Sequence, residues 1–457
     1  MTPHLRSESL LAILAIGVFG LAAVVFVPPA ITYDGPSHYF RALQVSRGEW
    51  RAERYSSRAV GGELPSAHVD FVDTLWSSYW VGHDFGSPSR WAALSRKTAV
   101  ETGTRRVEFT NTAVYSPANY ALQALGMRLM SWVTPSPLAA HRAACVTNLA
   151  GYLALIVTAL ELMPRYQRGL LLVATNPLIV IQAASVSTDA INAALPLLLL
   201  AWAWRLRDGA PGTRPVELGG LFLAGLLVAL LKPTSLAALT CLLLLPVGSF
   251  GTRRRWFAGL GMFFLCALAA WYLWNRANLD VDVGGWFEPA HPPASDQKAW
   301  FLAHPLRFVD PFLYFLSHDL APQWPHLYGD VGGWIPAGVQ AFLGKLSLLF
   351  LAGLCGCGHW KRHADWAWAV GNVAQAFAII AFTALTLWLA FGVPHLDRIP
   401  AFMGRYLFVA AAGLGIAVAE AFHGGLGSVR GALFWAALAG NCAGLTAILV
   451  SIASRVA

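Results

Sequence analysis

Charge is what this 457-residue chain has least of: Asp, Glu, Lys and Arg together make up 12% of it, about half the share of an ordinary globular domain. No soluble basic segment exists to put the net charge of +8 on nucleic acid, which is therefore excluded as a partner. Cysteine is also scarce. Cys145, Cys241, Cys266, Cys355, Cys357 and Cys442 are scattered through apolar stretches without the spacing of a disulfide framework. One cluster, CGCGHWKRH, holds Cys355, Cys357, His359 and His363, but its spacing matches no standard zinc pattern, and a basic turn at a membrane surface explains it equally well. A serine nucleophile elbow, a paired-metal motif and a phosphate loop are missing, and the GG pairs at 284–285 and 332–333 read as turns. Internal repeats of the kind that build inverted transporter halves are absent as well.

What fills the chain instead is long apolar runs. Hydrophobic residues make up 56% and the mean hydropathy is +0.54. A helix needs roughly 20 apolar residues to cross the hydrocarbon core and satisfies its own backbone on the way. The runs predict an all-α polytopic membrane protein with about 11 spans, near 10–29, 138–161, 168–185, 188–205, 216–231, 234–248, 256–274, 336–356, 367–391, 402–420 and 431–453. The pairs meeting near 186 and 232 read either as full spans or as broken hairpins.

With the N-terminus in the cytoplasm, the cytoplasmic turns carry Arg165 and Arg168, Arg205, Arg207 and Arg214, Arg253 to Arg255, Lys361 and Arg362, and Arg430, as the positive-inside rule requires. Two long extracytoplasmic segments, 31–137 and 275–335, belong to the single membrane domain, 1–457. The first helix is expected to stay as an anchor, its length exceeding that of a secretory signal. Within 31–137 one surface-lying helix is expected to begin at Pro36, with Asp34 as its cap and Gly48 past its end. A second follows YSP at 115–117, with Ser116 as cap. Tyr39, Phe40 and Leu43, and Tyr120, Leu125 and Leu129, would rest these helices in the interface.

Directly after the first apolar run comes TYDGPSHYFR. Asp34, His38 and Arg41 are spaced by four and three residues, one side of a helix. They line either a site or merely a cap and a headgroup contact. SVSTDAIN places Asp189, LLKPTS places Lys232, and HLDRIPAFMGRYLF places Asp397, Arg398 and Arg405 on the same extracytoplasmic side, each beside uncharged runs where an ionisable residue is costly without a partner. An acid near the first helix and bases at later turns can form one pocket that holds an anion and deprotonates a hydroxyl; phosphate suits Lys and Arg. Trp286, Trp300, Trp324 and Trp334 in the second long segment read as sugar platforms or as interfacial anchors.

Taken in order, DGPSHYFRALQVSRG, YSPANYALQALG, SVSTDAIN, LLKPTS, YGDVGGWIP and MGRYLF make the chain similar to a family of bacterial predicted membrane proteins that resembles the GT-C glycosyltransferases. The resemblance implies a polyprenyl-phosphate-linked sugar as donor and a glycan, lipid or protein as acceptor. Reaction would occur on the extracytoplasmic side of the bacterial inner membrane, among membrane lipids and generally with inversion. It implies Asp34 as base, His38 and Arg41 lining the site, Lys232 and Arg405, with Tyr406 beside it, receiving the carrier phosphate, and Asp189 orienting a hydroxyl or a basic partner. Gly35 stands where the family often has a second acid, so no residue is assigned to a metal, and a divalent cation (Mg or Mn) stays an open expectation. A different class, a transporter or flippase of a lipid-linked glycan, also needs a basic, amphiphile-sized cleft, but predicts ionisable groups near the bilayer centre.

Overall fold

The computed structural model describes residues 6–56, 59–81, 84–164, 166–208, 215–281, 294–329, 335–356, 366–391, 398–400, 402–421 and 429–456. Asp397, Trp286, Trp334, Cys357, His359, His363, Arg165, Arg214, Lys361 and Arg362, and the side chains of Cys355 and Arg430, lie outside them.

The chain runs through α1 (Ser7–Phe26) into a first long segment that is part helix and part sheet. That segment holds α2 (Gly35–Ser46), β1 (Glu53–Arg54), β2 (Val60–Pro65), α3 (Ser66–Val81), α4 (Pro88–Thr98), β3 (Thr104–Glu108), α5 (Thr110–Ala113) and α6 (Ala121–Ser131). The bundle proper follows: α7 (Pro137–Leu162), α8 (Gln167–Ala174), α9 (Pro177–Ala183), α10 (Asp189–Asp208), α11 (Pro215–Ala229), a 3₁₀ helix (Pro233–Leu244) and α12 (Arg253–Ala277). Next come α13 (Ala294–Ala303), α14 (Val309–Tyr314) and α15 (Leu320–Gly329), then α16 (Ala337–Gly356), α17 (Trp366–Phe391), α18 (Phe408–Ala421) and α19 (Val429–Val456).

The helical polytopic class expected from the sequence holds. Among the described residues α1, α7, α12, α16, α17 and α19 are each long and apolar enough to cross a membrane. They leave large apolar side chains such as Leu14, Leu265 and Val450 exposed, a cost in water and none in lipid. Of the other expected spans, 216–231 is the helix α11 and most of 402–420 is α18, while two are broken or wound differently. The run 168–185 breaks at Asn176–Pro177, where proline cannot continue a helix and the Asn176 side chain caps the next one by accepting from Leu178 N (3.0 Å). The resulting α8 and α9 are almost wholly buried, so this segment is core packing. The run 234–248 is a 12-residue 3₁₀ helix bounded by Pro233 and Leu245. Its stretched rise, about 2 Å per residue, makes it roughly 24 Å long. Residues 188–205 form α10, with Pro196 inside it.

Two expectations for the first long segment are corrected. α2 is not laid in the interface: Tyr39, Phe40 and Leu43 are buried against protein, because a three-stranded antiparallel sheet, β1-β2-β3, and α6 cover that helix. Asp34 and Ser116 precede their helices without capping them. Asp34 lies in the left-handed region (φ 55°) with no side-chain cap bond, and the Ser116 hydroxyl donates instead to Leu230 O (2.6 Å). Gly48 ends α2 as expected, at φ 85°.

Packing then fixes the ends. α16 lies along α19, α17 against α18 and the 3₁₀ helix, and α10 between α7 and α11. In the second long segment α15 packs on α16 and on the turn at Gly404, where a side chain would meet Leu327 N at 2.4 Å. The Trp300 ring lies tilted beside Trp388 (5.9 Å between centroids) and Trp324 Nε1 donates to Ser347 O (3.4 Å), so both rings pack against spans.

Candidate functional site: a buried cationic cleft

The site is built where three helices start. Asp189 opens α10, Lys232 precedes the 3₁₀ helix, and Arg405 lies in a short 3₁₀ turn (Gly404–Leu407) leading into α18. Asp189 faces both bases: Lys232 Nζ donates to its Oδ1 (2.6 Å), and Arg405 Nε forms an ion pair with its Oδ2 (3.4 Å) without a hydrogen bond. The three side chains are only 11%, 8% and 7% exposed. One carboxylate between two cations leaves a buried excess of positive charge. Arg405 Nη1 is buried with no hydrogen-bond partner. A buried, unsatisfied guanidinium donor is costly and calls for an acceptor such as an oxyanion.

A second set of polar side chains fastens this cluster. Asn192, one turn along α10, accepts from Lys232 N (3.1 Å) and donates to Asn119 Oδ1 (3.2 Å), while Asn119 donates to Leu230 O (3.0 Å). Asn148 donates to Ser185 O (2.9 Å) and Ser187 O (3.1 Å), and so holds the unwound turn before Asp189. These contacts satisfy backbone groups that the broken helices would otherwise leave bare inside a membrane.

The first long segment supplies the lid and the acid. The Arg405 guanidinium lies over the Tyr33 ring (4.8 Å) and near Tyr406 (5.6 Å), and Lys232 Nζ lies over the Tyr115 ring (5.2 Å). Asp34 follows Tyr33, and its charge acts on both Arg405 and Tyr115. Asn111, on α5, donates to Asp34 Oδ1 (2.8 Å), and Thr112 Oγ1 donates to Ser37 O (3.0 Å), so the sheet and α5 orient the acid. The turn carrying it is tight. Ala30 and Asp34 both have positive φ, and a Cβ on Gly35 would lie 2.0 Å from Ala30 O. Any second acid at that position is sterically excluded, which accounts for the glycine where the resembled family often has a carboxylate.

His38 is buried under the cluster, its Nδ1 paired with the Tyr120 hydroxyl (2.8 Å). Burial first, and then Lys232, pull its pKa down from 6.5 to about 3, so it is neutral at ordinary pH. Tyr115 moves the other way: burial pushes it up to about 12, against the pull of Lys232. Arg41 takes no part in the cleft. Its guanidinium bonds to Gln44 and donates to Trp50 O (2.7 Å) and Tyr115 O (3.0 Å), a staple that holds Tyr115 under Lys232. Arg398 is also apart, donating to the Tyr314 hydroxyl (3.0 Å).

A cavity of about 50 Å³ runs from this cluster between α10, the 3₁₀ helix, α17 and α18. Its lining combines polar side chains, among them Asp189, Lys232, Thr383 and Arg405, with the apolar Pro196, Ala238, Ile379, Phe408 and Val409. Such a lining fits an amphiphile with an anionic head, although the volume holds little more than a water or two as it stands. Among the described residues no group of three or more His, Cys, Asp or Glu is placed to hold a metal ion. With Asp189 already shared by two cations and Gly35 beside Asp34, the donor set does not fit a divalent cation, and no chemical step is routed through one.

A family model described as predicted membrane protein (DUF2142) matches residues 18–414. No curated protein matches the chain. Among solved structures it is similar to an Archaeoglobus fulgidus oligosaccharyltransferase in complex with Zn and sulfate, with 12% identity and a TM-score of 0.35. That likeness covers 97% of this chain and 53% of the other, so the chain spans about half that protein's length.

Proposed function

The chain belongs to the DUF2142 family of predicted membrane proteins, and we propose from its cleft that it is a GT-C-type glycosyltransferase. It would move a sugar from a polyprenyl-phosphate carrier to a hydroxyl of a cell-envelope acceptor, on the extracytoplasmic side of the bacterial inner membrane. The observation that carries this reading is the buried pair Lys232 and Arg405 sharing one carboxylate, with Arg405 Nη1 unsatisfied, at the head of an apolar passage between helices. The order of the sequence motifs supports it independently.

The chemistry follows from the charges. The carrier phosphate displaces part of the Asp189 contact and takes the free donors of Arg405 and the ammonium of Lys232. Its chain lies along Ala238, Ile379 and Val409. Asp34, oriented by Asn111, accepts the proton of the acceptor hydroxyl as that oxygen bonds to the anomeric carbon. The bond from that carbon to the phosphate oxygen breaks, and its electron pair leaves with the carrier phosphate, whose growing charge the two cations stabilise. Attack opposite the leaving group inverts the anomeric centre. Entry requires α10, the 3₁₀ helix, α17 and α18 to separate, because ligand pockets generally need about 300 to 1,000 Å³ and this cavity has about 50 Å³.

The test is to incubate purified protein in lipid nanodiscs with a panel of polyprenyl-phosphate sugars and an envelope glycan, and to measure free polyprenyl phosphate. Release is expected with at least one donor, slowed roughly 10² to 10⁴-fold in Asp34→Asn, the usual cost of losing a general base. A folded Asp34→Asn protein with full activity removes the base. Absence of release from every donor, together with protein-dependent movement of a lipid-linked glycan across vesicles, would replace the enzyme by a flippase.

A further inference from the structure

A second cavity is larger than the one above. A groove of about 700 Å³ lies between α4, α6 and the start of α7, and shares no residue with the cleft. Its walls are Leu129, Met130, Val133, Leu138 and Val146, and two guanidinium side chains, Arg96 and Arg142, join the lining.

Three facts define what would occupy it. Among the described residues neither the exposed Arg96 nor the half-buried Arg142 forms a hydrogen bond or ion pair, so two basic residues that line the groove have no acidic partner there. Arg142 lies five residues into the spanning helix α7, roughly 8 Å along its axis. A charge so near the end of a span comes within reach of lipid headgroups, where an anionic partner is favourable. Lastly, Leu129, Val133 and Val146, which line the groove, are exposed beside Leu125 and Trp132, with Arg128 over the Trp132 ring (5.8 Å). This apolar rim is continuous with the lipid-facing surface of α7. An aromatic-basic pair such as this, at the end of α6 beside the span α7, is a usual membrane-boundary anchor.

We propose that this groove is a binding site for one anionic diacyl phospholipid, its phosphate between Arg96 and Arg142 and an acyl chain along Met130, Leu138 and Val146. The lipid would supply the counter-charge that the chain lacks there. By bridging α4 to α7 it would also tie the first long segment to the bundle. The site does not depend on the glycosyltransferase reading, and its test reads binding alone.

Delipidated wild-type protein is titrated with phosphatidylglycerol, phosphatidylcholine or inorganic phosphate, with thermal unfolding and native mass spectrometry as readouts. Phosphatidylglycerol should raise the unfolding midpoint and stay bound. Phosphatidylcholine should bind more weakly and inorganic phosphate should give no shift. Arg96→Gln should weaken phosphatidylglycerol roughly fivefold, the attraction expected of one basic residue near an anionic headgroup, and Arg96→Gln with Arg142→Gln should remove the preference over phosphatidylcholine. Should the double variant fail to fold, Val146→Trp, which fills the groove from an exposed position, should by itself displace the lipid. Equal retention of the two lipids by wild-type protein, protection by inorganic phosphate alone, or undiminished binding in Val146→Trp overturns the proposal.

Discussion

At the scale of single residues the cleft is governed by one carboxylate serving two cations. Removing Asp189 leaves Lys232 and Arg405 buried together without the carboxylate that pairs with both and only the more distant charge of Asp34 nearby, whereas removing either base still leaves a pair. Asp189→Ala is therefore expected to be the most destabilising change in the cluster, by about 3 to 5 kcal/mol, read as a fall in the midpoint of thermal unfolding. A smaller loss in Asp189→Ala than in Lys232→Ala contradicts the arrangement. The buried histidines of the first long segment give a second expectation. Burial lowers His38 to about 3, and burial, with Arg47 adding, lowers His68 to about 4. Their unfolded forms titrate near 6.5, so between these values the unfolded state binds the extra proton. Stability is complete above about pH 6.5 and falls as pH drops, on the order of 2 kcal/mol per histidine by pH 5. Unfolding midpoints that stay level from pH 7 to pH 5 would refute it.

Residue identities at the cleft were legible where a charge interrupts an apolar run, as at Asp189, Lys232 and Arg405, because such a position carries an energetic cost that the sequence displays. Arg41 was placed beside Asp34 by helical spacing. The positive φ at Asp34 turns the chain before α2 begins, so the acid is off the stripe that the spacing assumes. Asn111, Asn119, Asn192, Tyr33 and Tyr115 went unmarked. All but Asn111 fall within or beside stretches the sequence singles out, but a neutral side chain shows no cost until its partner, often more than 70 residues away, is known.

Among the elements, the interruptions matter more than the spans. Prolines at 177 and 233 cannot donate to a helix, and the chain uses those breaks to bring Asp189 and Lys232 to one level. Hydropathy located the apolar runs without showing that α8 and α9 are short and buried, since a continuous apolar run reads alike in lipid and in a protein core. The sheet was not legible either: its strands are two to six residues long and include GlyGly and several charges. The turn from Ala30 to Gly35 joins α1 to α2 and gives the expectation at this scale. Gly35→Ala forces a methyl group onto Ala30 O, so overpacking of about 1 to 3 kcal/mol is expected, together with loss of donor turnover beyond what the reduced stability explains. Calorimetry and the release assay check this, and a variant with wild-type values for both shows that the turn does not hold Asp34.

For the whole molecule, the architecture separates two tasks. Long apolar helices hold the protein in the membrane, while short, broken and 3₁₀ segments concentrate its buried charge at the end that carries the first long segment. In the described conformation the passage beneath that charge is too narrow for a prenyl chain, so the proposed function couples binding to opening: a carrier would have to separate α10 from α17 and α18 as it enters. A structure of the protein in nanodiscs with a bound polyprenyl phosphate tests this account most directly. The phosphate should lie between Lys232 and Arg405, with the chain leaving between α10, α17 and the 3₁₀ helix. Density for the phosphate away from both bases, with the Asp189 pairs intact and the passage still closed, would contradict it.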